Sequence, residues 1–154
     1  MLIDSDRIAT TEERIDQLSH AKKRVIIRDI DSISTYRAKF NKYWAEAVAE
    51  SHSIKQFKLY ELKNDSRNKK SWKYISGAII NNKSINKLSI ERGFYCKMEN
   101  VYCIRIMLNE NPRISYLSID DLAIDDNALQ VLSNTLASND SIKTLVLKWC
   151  EPHR

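Results

Sequence analysis

Ser141-Ile-Lys-Thr-Leu-Val-Leu147 aligns without gaps on three earlier stretches: Ser53-Ile-Lys-Gln-Phe-Lys-Leu59, Ser84-Ile-Asn-Lys-Leu-Ser-Ile90 and Arg113-Ile-Ser-Tyr-Leu-Ser-Ile119. Each stretch is apolar at its second, fifth and seventh positions, and the starts lie 31, 29 and 28 residues apart. The fifth and seventh positions give the two-residue alternation of a strand with one buried face. A weaker copy stands upstream at Arg24-Val25-Ile26-Ile27, with Lys22 where the first apolar residue should be.

The agreement extends backwards from Ile54, Ile85, Ile114 and Ile142. Six residues earlier stand Val48, Ile79, Leu108 and Leu136, and ten earlier stand Trp44, Ile75, Ile104 and Leu132. Thirteen earlier stand Asn41, Trp72, Val101 and Leu129, with Asn41 the one polar exception. Steps of three and four put these side chains on one helical face. The interval from helix to strand is therefore fixed, and the period varies in the loop after the strand. Asn82, Asn111 and Asn139 recur three residues before the first apolar strand position, where Ser51 stands in the first copy. Asn tolerates the left-handed conformation that stops a helix, so these positions predict helix ends. Asp125 or Asp126 is placed to cap the helix that contains Leu129.

The run from Leu117 to Asn139, followed by Ser141–Leu147, resembles the ribonuclease-inhibitor subfamily of leucine-rich repeats in its period and its strand-plus-helix unit. The resemblance covers roughly residues 22–150 and is strongest over 84–147. It implies an α/β leucine-rich-repeat solenoid: a right-handed βα superhelix with a parallel sheet on the concave face and helices on the convex face. Residues 22–154 would form four to five repeats, and residues 1–21 an N-terminal capping helix or a partial repeat. Thr10 and Glu13 have the spacing of a capping box there. The family places Asn or Cys in the bend after the strand, whereas this chain has Ile30, Leu62, Gly93, Leu122 and Cys150. Only Cys150 fits, so the bends are expected to be irregular.

Alternation also defines the face left over for binding. Three columns are expected there: Arg24, Gln56, Lys87, Tyr116 and Thr144; Ile26, Lys58, Ser89, Ser118 and Val146; Arg28, Tyr60, Glu91, Asp120 and Lys148. Trp149 lies beside the third. None of these positions is needed for the core. Tyr60, Tyr116 and Trp149 are the strongest anchors, because aromatic side chains bring large contact area at low entropic cost. Basic and acidic residues are mixed along the columns, whereas a nucleic-acid groove would be uniformly basic. A protein partner is therefore expected and nucleic acid is disfavoured. The net charge of +5 keeps a basic nucleic-acid-binding protein as the alternative, with the basic stretch Lys63–Lys73 read as a solvated loop. Self-association through the C-terminal edge strand, or a self-assembling part of a larger repeat protein, is a further alternative, since a strand at Leu145–Leu147 would leave an edge exposed.

Catalysis finds no constellation. His20, His52 and His153 have no sequence-evident nucleophile or carboxylate partner. The acidic group Asp120, Asp121, Asp125 and Asp126 lacks the Gly and closing Glu of a calcium loop. No cofactor, metal site or enzyme activity is expected. Cys96, Cys103 and Cys150 lack the spacing of a zinc or redox site, and the seven-residue step places Cys96 and Cys103 on one helical face. The N-terminus has no secretory pattern and no apolar run is long enough to span a bilayer. An intracellular adaptor, cytoplasmic or nuclear, is the expectation.

Overall fold

The computed structural model describes residues 2–3, 26–27, 32–34, 41–60, 68–91, 95–96, 98–120 and 123–148. In chain order the elements are β1 (Leu2–Ile3), β2 (Ile26–Ile27), β3 (Ser32–Ser34), α1 (Lys42–Glu50), β4 (Gln56–Leu59), α2 (Asn68–Asn81), β5 (Lys87–Ile90), β6 (Tyr95–Cys96), α3 (Met98–Glu110), β7 (Tyr116–Asp120), β8 (Ala123–Ile124), α4 (Asp126–Ala137) and β9 (Thr144–Lys148). The fold is α/β. Its main sheet has five parallel strands in the order β3-β4-β5-β7-β9. Each strand of this sheet pairs with its predecessor along the chain. The helices follow the same order, α1 against α2, α2 against α3 and α3 against α4. Two short parallel pairs flank the sheet, β1 with β2 and β6 with β8.

The register is the one the apolar alternation demands. Phe57, Leu88, Leu117 and Leu145 are successive rungs, and so are Leu59, Ile90, Ile119 and Leu147. Among these, Phe57, Leu59, Leu88, Ile90, Leu117 and Ile119 are buried. Full burial of each such side chain is worth about 1.5–3 kcal/mol, so these columns carry much of the folding drive. Trp44, Val48, Ile75, Ile79, Val101, Ile104 and Leu108 close the core from the helical side. Trp44 meets Phe57 edge to face, with ring centroids 5.9 Å apart, a favoured aromatic geometry.

Local signals explain the helix starts. Asn41, the polar exception in its column, caps α1: its backbone is extended and its side chain accepts from the Trp44 N–H at 2.9 Å. Asp125 does the same for α4 by accepting from the Ala128 N–H at 2.9 Å.

Several expectations are corrected. The strand preceding β4 in the main sheet is Ser32–Ser34, with Ile33 beside Phe57; Ile26–Ile27 instead pairs with Leu2–Ile3. The unit from β3 to β4 spans 24 residues in register against 31, 29 and 28 in the later ones, chiefly because α1 has 9 residues where the later helices have 14, 13 and 12, so an extrapolated period of about thirty residues overshoots the strand. The basic stretch is not wholly a loop, because residues 68–73 belong to α2. Cys96 lies in β6 and Cys103 in α3, so they do not share a helix. Leu129 is 41% exposed, while its neighbour Ala128 is buried. The proposed N-terminal helix around residues 10–18 lies outside the described residues.

Candidate functional site

The sheet face opposite the helices is built upward from an asparagine device that fixes each unit on the previous one. Asn82 follows α2 and is buried. Its carboxamide oxygen accepts from the N–H groups of Ser84 and Ile85, both at 2.7 Å, shaping the turn into β5. Its amide reaches back and donates to the carbonyls of Val48 (2.6 Å) and Ser51 (2.9 Å) at the end of α1. Asn111 donates in the same way to Ile79 (2.7 Å) and Asn82 (3.3 Å), and Asn139 donates to Leu108 at 3.1 Å. Helix-terminal carbonyls have no partner within their own helix. Here the side chain of the following unit supplies one.

This ladder was the largest signal missed in the sequence. The recurrence of Asn at one offset was visible; its cross-unit bonds were not. In the first unit, where Ser51 stands in place of Asn, the residue after α1 has φ −68° and ψ 135°, an extended backbone.

With the units so aligned, the outward residues fall into columns. Gln56, Lys87, Tyr116 and Thr144 are neighbours in register, as are Lys58, Ser89, Ser118 and Val146. Adjacent rungs stand about 4.8 Å apart, so a column presents closely spaced side chains to one partner surface. Lys87 and Lys148 are exposed; Gln56, Lys58, Tyr60, Glu91, Tyr116, Asp120 and Val146 are half-buried. Asp120 and Lys148 are register neighbours. The Lys87 ammonium sits 5.8 Å from the Tyr116 ring centroid, within cation–π range.

The middle of the face is lower than its rims. Ser89 and Ser118 are only 4% and 9% exposed, although they point away from the core. Gln56 Nε2 donates to Ser89 Oγ at 2.9 Å. These serines form a floor, and contact falls first to the residues around them. On the β3 side the columns begin with Ser32 and Ser34, which replace the expected Arg24 and Ile26. Arg24, Arg28 and Trp149 lie outside the described residues.

No protein-family model matches this chain, and no curated protein matches it.

Among the described residues, other chemistry-bearing groups do not converge. Among the described residues, no group of three or more His, Cys, Asp and Glu side chains could hold a metal ion. Asp125 is used as a helix cap. Burial, and secondarily the charge of Glu99, push the Cys103 thiol above its ordinary value, which favours the unreactive protonated form. No described helix is long and apolar enough to cross a membrane.

Proposed function

We propose that this chain is a leucine-rich-repeat solenoid of the ribonuclease-inhibitor type whose concave strand face binds a protein partner inside the cell. One observation carries the reading: every strand of the main sheet pairs with its predecessor in one continuous register, so that side chains free of core duty line up across units. The unit-to-unit asparagine bonds support the same reading, since they tie each strand–helix unit to its nearest neighbour. Stacked units of this kind cannot bury their apolar faces alone.

On that face Tyr60 and Tyr116 are the anchors, and Lys58, Lys87, Glu91, Asp120 and Lys148 surround the serine floor. Gln56, Ser89, Ser118 and Val146 complete the surface, and Trp149 is assigned to it from sequence. Charges of both signs favour a protein over a polyanion. They set orientation and on-rate more than affinity. Affinity capture from the native host, repeated with Tyr60→Ala and Tyr116→Ala, tests this. A hot-spot tyrosine costs about 2 kcal/mol or more on truncation, a roughly thirtyfold or larger loss. Undiminished capture by the folded double variant would dispose of the reading.

A further inference from the structure

Asn82-Lys83-Ser84 is the N-x-S pattern at which asparagine accepts an N-linked glycan. Asn64-Asp65-Ser66 and Asn139-Asp140-Ser141 share it. Asn111 does not, because Pro112 follows it and a middle proline blocks transfer. Such acceptors belong on exposed surface. Asn82 is 1% exposed, and its side chain ties one unit to the previous one.

In glycan transfer the side-chain nitrogen gives up one hydrogen as a proton and bonds to the anomeric carbon of a lipid-pyrophosphate-linked oligosaccharide. The bond from that carbon to the pyrophosphate oxygen breaks, and the lipid pyrophosphate leaves with the electron pair. The folded protein has no hydrogen to spare at Asn82. Its amide donates to Val48 O at 2.6 Å and to Ser51 O at 2.9 Å. A C–N single bond of about 1.45 Å along either direction would put the sugar carbon within roughly 1.5 Å of a carbonyl oxygen. Turning the carboxamide over gives no relief, since its oxygen accepts from the Ser84 and Ile85 N–H groups at 2.7 Å. The serine of the pattern is engaged as well: the Ser84 hydroxyl lies 3.0 Å from Ser51 O and 2.8 Å from Ile54 O.

We infer that glycosylation at Asn82 and stacking of the β5 unit on the unit before it exclude each other: Asn82 is an acceptor in the unfolded chain and is sealed in the folded one. Where a transferase reaches the nascent chain before the ladder forms, the stacked form does not follow. The middle residue decides which ladder positions carry this liability, since Asn111 makes the same kind of cross-unit bonds with Pro112 beside it. Asn139 is half-buried and donates to Leu108 O alone among the described residues, so the exclusion is confined to Asn82. It rests on the ladder and not on the partner bound at the concave face.

Two measurements test it. Purified full chain and a synthetic peptide of residues 78–90 are offered separately to detergent-solubilised oligosaccharyltransferase with a lipid-linked oligosaccharide donor, and glycopeptide mapping reads transfer to Asn82. Transfer to the folded chain is expected to be at least about a hundredfold slower than to the peptide, the factor set by about 2.8 kcal/mol of local opening. The second measurement reverses the order of events. The full chain behind an added secretory leader is translated into microsomes, and limited proteolysis after detergent release sorts folded from unfolded molecules. Molecules with a glycan at Asn82 are expected in the protease-sensitive fraction alone. Lys83→Pro at its exposed position keeps Asn82 and Ser84 and copies Asn111-Pro112. It is expected to stay unmodified at Asn82 and to be recovered in the resistant fraction. Comparable transfer rates on folded chain and peptide, or protease-resistant molecules glycosylated at Asn82, would overturn the inference.

Discussion

Asn82→Ala separates a cross-unit tie from a simple helix stop. Asn82 is 1% exposed and makes four bonds to backbone: it accepts from Ser84 and Ile85 and donates to Val48 and Ser51. Truncation does not strand all four groups. The Val48 carbonyl keeps the Ser51 N–H, and the Ser51 carbonyl keeps the Ser84 hydroxyl. The Ser84 and Ile85 N–H groups lose the acceptor that forms their turn. A buried donor left unsatisfied costs about 1–3 kcal/mol, and with Ser84 only half-buried the expected loss is about 2–4 kcal/mol. Asn139 makes the equivalent bonds to Ser141, Ile142 and Leu108 but is half-buried. Water can replace part of what it supplies, so Asn139→Ala should cost about 1 kcal/mol. Urea unfolding with linear extrapolation measures both. Asn82→Gly is the discriminating variant. A residue needed only for a left-handed backbone is replaced by Gly at little cost, whereas a side-chain tie is lost with Gly as fully as with Ala. Wild-type stability for Asn82→Gly, or equal costs at Asn82 and Asn139, would refute the ladder's role.

Leu88→Ala should cost about 2–5 kcal/mol as a fully buried rung, against well under that for Leu147→Ala at its exposed position; the same urea titrations compare them. Asp125→Ala should remove the α4 cap and cost about 1 kcal/mol, with Asp125→Asn largely restoring it, read by thermal unfolding. Cys103 should alkylate more slowly than a free thiol at mildly alkaline pH, and Glu99→Gln should shorten that gap; mass spectrometry after timed labelling reads both. Because the folded thiol is raised above 9.0, its contribution to stability is complete below the unfolded pKa and is lost as pH rises through the folded one. Stability that increased across that alkaline window in wild type but not in Cys103→Ser would contradict this assignment.

The sequence made β4, β5, β7 and β9 legible because three constraints coincide there. Each has apolar alternation, a helical column at fixed offset and a recurrent polar residue between them. Where one constraint lapsed, the reading failed. Upstream of β4 the unit is shorter because α1 has only 9 residues, and Val25 and Ile27 mimic the pattern that Ile33 fulfils. Leu129 has the right spacing but is 41% exposed, and periodicity encodes which face a residue lies on, not whether that face is covered. Ser89 and Ser118 alternate correctly to the outer face and are nonetheless buried, because the height of neighbouring side chains is a property of the assembled sheet. The columns of the candidate site were legible for the same reason as the strands: a one-residue slip would send Phe57, Leu88 and Leu117 to the wrong side.

Cross-strand nuclear Overhauser contacts between backbone protons test the stacking most directly. Parallel units in this register predict contacts linking Phe57 with Leu88, Leu88 with Leu117 and Leu117 with Leu145, and none that skips a rung. An absent link in that series, or contacts in the alternating close-and-wide pattern of antiparallel strands, would contradict it.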